Sequence, residues 1–165
     1  MTSHPTITSL EEAAGLTGAA ATGEWFSVDA AHVAAFDTAS YFPLDEDYMD
    51  GYPDGLIEGF YLLALLDEFG SRLFPFDTSA LLGWNYGLNR VRFITPVRVG
   101  QPLRLTGTIT AAEPRGDGIL VTTEFAGELA DAERPAFIAE QLTLWRRKPT
   151  TARLTDPNTT QEATP

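Results

Sequence analysis

The hydrophobic positions change rhythm partway along the chain. From Asp29 to Ala39 the residues Val33, Ala34 and Phe36 share one side of a helix that Asp29 can cap. A second helical pattern covers residues 55–72, where Leu56, Phe60, Leu63, Ala64, Leu66 and Phe69 recur with further apolar residues between them, and Asp54 stands as its N-cap. A helix of ~18 residues is about 27 Å long, enough to cross a small sheet. Being apolar on nearly every side, this one is expected at the centre of the fold. From Ser79 onward strands take over, at 81–86, 89–95, 103–112, 119–129 and 136–145, preceded by a short one at 25–28. Turn signals at 96–102, at P-R-G-D-G (114–118) and at 130–135 predict antiparallel hairpins between them. Leu103, Leu105, Gly107 and Ile109 alternate with Arg104, Thr106, Thr108 and Thr110, so that strand has one buried and one wet face.

Outside these patterns the chain has little to bury. Residues 1–22 are rich in Thr, Ala and Gly and are expected to lie loosely on the domain, with only a short helical turn at 10–16. The main domain is set at 23–148. Residues 149–165 carry a single large aliphatic side chain, Leu154, and are expected to form a disordered tail.

Composition narrows the classes of function. With 165 residues, 44% of them hydrophobic, the chain fits one domain whose core needs no metal or disulfide support. It has no cysteine, which excludes thiolate catalysis, disulfides, iron–sulfur clusters and Cys-ligated zinc, and its two histidines argue against a His-rich metal site. No metal or cofactor is therefore expected. With 23 acidic and 11 basic residues the formal charge is −12, which repels phosphate backbones and anionic lipid, so nucleic acid is excluded as a partner. The longest apolar run, residues 60–66, is far short of the ~20 that a membrane span needs, and no basic or apolar leader opens the chain. A cytoplasmic protein with no membrane attachment is the expectation.

An apolar helix followed by long antiparallel strands is an α+β arrangement, a single hotdog domain whose sheet wraps a long central helix. Residues 83–105, G-W-N-Y-G-L-N-R-V-R-F-I-T-P-V-R-V-G-Q-P-L-R-L, resemble the segment after the central helix in MaoC-like hydratases and dehydratases. The resemblance extends to the stretch from Trp25 to Phe36, to L-I-E-G-F at the helix start and to A-E-Q-L-T-L-W-R-R near the end. Family members move a proton and a water on an enoyl or 3-hydroxyacyl thioester with an Asp and a His, spaced D-x4-H just before the central helix. This chain has no histidine there. Aligned without gaps from Phe36, the two positions hold Phe42 and Asp47; anchored on Pro43, they hold Ser40 and Asp45. The family's A-H-G at the helix start becomes I-E-G, with Glu58 in the place of a second histidine, while His4 and His32 match no catalytic position.

The resemblance thus implies a hydratase or dehydratase of altered active site, working on an acyl thioester or polyketide-type intermediate in secondary metabolism. Glu58 and either Asp45 or Asp47 would carry the proton, one carboxyl kept neutral by burial while the other is ionised. Burial raises the pKa of Glu58 and a helix N-terminus lowers it, so its net shift is open at this level, and the bland alternative is a solvated helix-start acid. For Asp45 and Asp47 the alternative is a wet acidic loop. Ser40, Tyr41, Tyr52, Asn85 and Tyr86 are the candidate substrate contacts, set against ordinary packing of aromatics. Thioester hydrolysis and a shape-only cyclase or ligand-binding role stand as alternative functions. The substrate is a small or thioester-bound molecule, with coenzyme A or a carrier protein as the donor. An open strand edge predicts a homodimer with pockets near the shared interface.

Overall fold

A computed structural model describes residues 2–41 and 53–149. In chain order the elements are α1 (Leu10–Ala14), β1 (Ala20–Thr22), α2 (Ala30–Ala39), α3 (Gly59–Leu73), β2 (Leu81–Phe93), β3 (Leu103–Arg115), β4 (Gly118–Leu129) and β5 (Phe137–Arg147). The five strands form one antiparallel sheet in the order β1-β3-β4-β5-β2. Helices packed with a single antiparallel sheet make this the expected α+β class. Asp45, Asp47 and Tyr52 lie outside the described residues, as does the chain beyond 149.

The alternation in β3 turns out as the sequence predicts: Leu103, Leu105 and Ile109 are buried, and Val121 and Phe125 of β4 share their face. That face meets α3, where Gly70 lies so close to Phe125 that a Cβ there would sit 3.0 Å from the ring. The hairpins β3–β4 and β4–β5 form as expected. The turn at 96–102 is no hairpin, because β2 pairs with β5 at the opposite end of the sheet from β3. Its backbone is committed elsewhere: Ile57 N–H donates to Val97 O and Val99 N–H to Gly55 O, each at 2.8 Å, and Gly100 N–H donates to Val28 O.

Those bonds also correct the helix start. Gly55 turns the chain at φ +67 and residues 55–57 then pair antiparallel with 97–99 through the Leu56–Arg98 bridge, so α3 begins at Gly59 with Glu58 as N-cap, a turn later than Asp54 predicts. Glu58 contributes no capping hydrogen bond, forgoing about 1 kcal/mol. Packing holds the helix instead, since Leu62, Leu66 and Leu73 are at most 3% exposed and each such side chain contributes about 1.5–3 kcal/mol on burial.

The strands at 81–86 and 89–95 are one strand. Gly87, at φ +154, and the register shifts on either side of it make an irregular stretch opposite β5 where the sequence reads as a break. The segment at 25–28 supplies a single bridge, Phe26 to Leu103, rather than a strand. The expectation of a loose N-terminal segment is overturned as well. Ile7, Ala13 and Leu16 are buried, Ile7 bridges to Phe76, and β1 pairs with β3. Its small residues give no hydrophobic period, yet the strands leave an edge on β3 that β1 fills.

Candidate active site

Four segments distant in sequence meet at the N-terminus of α3 and enclose a cavity of about 740 Å³, within the range typical of small-molecule sites. The end of α2 contributes Phe36 and Ser40, the start of α3 contributes Glu58 and Phe60, the end of β2 and the stretch after it contribute Phe93 and Thr95, and Ala136 stands at the entry to β5. Each wall has a local cause. Asp29 caps α2 by accepting the His32 N–H at 2.9 Å, and its carboxylate also meets the His32 ring nitrogen at 2.8 Å. The ring of Phe36 stands edge-on to Tyr61 at 5.1 Å between centroids, which locks α2 over the first turn of α3. Gly59 leaves room for the ring of Phe93, whose Cζ lies 2.5 Å from where a Cβ would be.

Glu58 is the sole ionisable side chain among the described residues of this wall. It is partly buried, and that burial pushes its carboxyl above the ordinary carboxylate range, with the negative charge of Asp37 on α2 adding to the effect. The helix N-terminus, which acts in the opposite sense, does not prevail. A carboxyl of raised pKa at the rim of an apolar cavity is suited to exchange a proton with a molecule bound there.

Of the other sequence candidates, Ser40 lines this cavity with Glu58. Tyr41 does not; it sits at φ +59 and is 94% exposed. Asn85 lies farther along β2, accepting a hydrogen bond from Gln141 Nε2 at 3.0 Å. Tyr86 accepts one from Arg115 at 2.8 Å, with the guanidinium also over its ring, and lines no part of the Glu58 cavity. Neither histidine reaches it: His32 is held by Asp29, and His4 is beside Phe74. Asp37, Gly59 and Phe93 escape the sequence reading. Asp37 leaves a trace there as an acid in the last turn of a helix, where the dipole disfavours negative charge, while Gly59 and Phe93 stand in the family-like segments without a role of their own. Among the described residues no cluster of three or more His, Asp or Glu forms a metal site, and no helix is long and apolar enough to cross a membrane.

Against known proteins, no family model matches the chain. It is 30% identical over 132 residues to Nodulation protein N of Rhizobium leguminosarum bv. viciae, covering 73% of this chain and 80% of that one. It is 31% identical over 137 residues to 3-hydroxyacyl-thioester dehydratase Z of Mycobacterium tuberculosis, covering 75% and 90% respectively. Among solved structures, the MaoC-like dehydratase from Rhodospirillum rubrum superposes with a TM-score of 0.61 at 20% identity, over 81% of this chain and 94% of that one. The fold is therefore the hotdog.

Proposed function

The chain belongs to the MaoC-like hydratase/dehydratase family, and on that premise we propose that it adds water to an enoyl thioester, or removes it from a 3-hydroxyacyl thioester, with Glu58 as a proton carrier. The observation that carries this reading is the Glu58 carboxyl itself, at the N-terminus of α3, on the wall of an apolar cavity and with raised pKa. In dehydration one carboxylate takes a proton from C2 while a carboxylic acid delivers one to the departing C3 hydroxyl, which leaves as water. Hydration runs the same transfers backward. Glu58 fills one of these roles and Asp45 or Asp47 the other, replacing the family's Asp and His with carboxyls; the segment holding both joins Ser40 to the start of α3 in sequence. Ser40 and Thr95 are the hydroxyls that would hydrogen-bond the thioester.

The working unit in this reading is a homodimer. β2 is one of the two edge strands and exposes Trp84, Tyr86 and Leu88, each at 43% or more, apolar surface that a second copy would cover. A polyketide-type substrate and a carrier-protein donor belong to the same proposal.

A second reading, a shape-only cyclase or binding protein, is favoured by the predominance of apolar side chains around a single carboxyl. One variant separates the two. Glu58→Gln keeps size and polarity, so in the hydro-lyase it lowers kcat by about 10²-fold or more while thioester binding persists. Mass spectrometry on enoyl, 3-hydroxyacyl and saturated acyl thioesters reads the outcome, and release of the free acid would instead indicate hydrolysis. Unchanged turnover in Glu58→Gln refutes acid–base chemistry at this helix.

A further inference from the structure

A second cavity, of about 220 Å³, lies between the C-terminal half of α3 and the β2 side of the sheet. It shares no lining residue with the Glu58 cavity. The inner face of the sheet around it is built from apolar side chains such as Ile109, Val121, Phe125 and Trp145. Asn85, Thr123, Gln141 and Thr143 break that rule, and two of them are buried. Thr123, 6% exposed, and Gln141, 7% exposed, are the buried polar residues among those described. They are direct partners across the β4–β5 ladder, and both line this cavity.

Such a pair is costly in a sheet core unless its hydrogen bonds are made. Gln141 Nε2 donates to Asn85 Oδ1 at 3.0 Å. That leaves the amide of Gln141 with a carbonyl oxygen and a second N–H, the amide of Asn85 with its NH₂ group, and Thr123 with its hydroxyl. No buried side-chain polar atom among the described residues is both fully enclosed and unpartnered, so the spare groups of Gln141, Thr123 and the exposed Asn85 stay accessible to a molecule that enters the cavity. Thr143 adds a hydroxyl from β5, and α3 adds the exposed hydroxyl of Ser71 and the exposed carboxylate of Asp67; the set offers donors and acceptors side by side and no cation. It matches an uncharged group with hydroxyl or carbonyl oxygens and mismatches both an alkyl chain and an anion.

We propose that this cavity is a binding site for an oxygenated, uncharged organic group. Its source is either the distal part of an acyl substrate, which rests on the hydro-lyase reading above, or a separate small molecule. Leu62 lines the first cavity and Leu66 the second, one helical turn apart on α3, so the two sites follow one another along the same helix. Asn85, a sequence candidate for substrate contact, has its place here rather than beside Glu58.

The test uses Gln141→Leu and Thr123→Val, which keep the approximate shape while removing hydrogen-bonding groups. Replacing buried polar groups with apolar ones of like shape leaves a fold nearly as stable, so the melting temperature is expected to hold or rise in at least one of the two. Two probes are used. The first is a matched pair of 3-hydroxyacyl thioesters of equal length, one with a plain alkyl end and one with hydroxyl and keto groups in its distal half. The second is free 1,3-diol and 1,3-diketone fragments of six to ten carbons, followed by calorimetry. If the acyl chain is the source, the wild type prefers the oxygenated thioester, and each variant loses roughly tenfold of that preference, mainly in KM. If a separate molecule is the source, the thioester pair is turned over alike, and the fragments bind the wild type and not the variants. Fragment binding that needs Gln141, in a protein that turns over neither thioester, would sink the hydro-lyase reading and leave this site standing. Folded variants with unaltered thioester preference and unaltered fragment binding overturn the proposal.

Discussion

Gly59→Ala tests the geometry of the Glu58 cavity without touching an ionisable group. A methyl at this position would lie 2.5 Å from Cζ of Phe93 and 2.6 Å from Cε2, whereas carbon atoms in ordinary contact are about 3.5–4.0 Å apart. The ring must therefore retreat by about 1 Å. It is 50% exposed, so it can swing outward at a rotamer cost of about 0.5–1.5 kcal/mol, which the better helix propensity of Ala partly offsets. The melting temperature is expected to change by no more than about 4 °C. Activity should suffer more, since Phe93 forms the wall facing Glu58 and a displacement of about 1 Å at a positioned substrate can cost up to 10²-fold in rate. The assay is kcat/KM on a 3-hydroxyacyl thioester for the wild type, Gly59→Ala, Phe93→Ala and the double variant. With the ring absent the added methyl has nothing to displace, so Gly59→Ala should cost little in the Phe93→Ala background. A kcat/KM within twofold of wild type for Gly59→Ala, or equal losses in both backgrounds, would refute this account of the cavity wall.

Asp37→Asn removes a negative charge that raises the Glu58 pKa, so the limb of the kcat/KM profile set by Glu58 should move to lower pH; a limb that stays in place disproves the coupling. Because the folded-state pKa of Glu58 is raised, its contribution to stability is fully present below the unfolded pKa and is lost as pH rises through the folded one. The melting temperature of Glu58→Gln relative to wild type should accordingly be more favourable at pH 7 than at pH 4, as thermal denaturation at both values would read. Gly127→Ala drives a methyl into the ring of Phe137, which is 0% exposed and has nowhere to go. A loss of about 1–3 kcal/mol is expected in urea denaturation, in contrast to the yielding ring at Gly59.

What the sequence discloses here follows from how local each cause is. The cap of α2 and the alternation of β3 are written within a few residues, and both are found as expected. The start of α3 is misjudged because the Gly55–Ile57 backbone is claimed by Val97–Val99, a partner some forty residues away that no helical period reveals. β1 is three residues long, too short for any period, and Gly87 reads as a break because a strand irregularity and a turn call for the same residue. In the site, Glu58 is legible as a charge heading an apolar helix. Phe93 is not, since only its contact with Gly59 gives it a place.

The crossing of residues 94–102 beneath the start of α3 bears on the order in which the molecule assembles. β3, β4 and β5 meet through short connections, a meander of local contacts that closes early, whereas β2 must wait for β5, about fifty residues downstream. The pairing of 55–57 with 97–99 and the seating of Phe93 on Gly59 likewise join segments some forty residues apart. Glu58 thus stands beside the seam of greatest sequence separation, and hydrogen exchange is expected to find the amides of Ile57 and Val99 opening more readily than those of the meander.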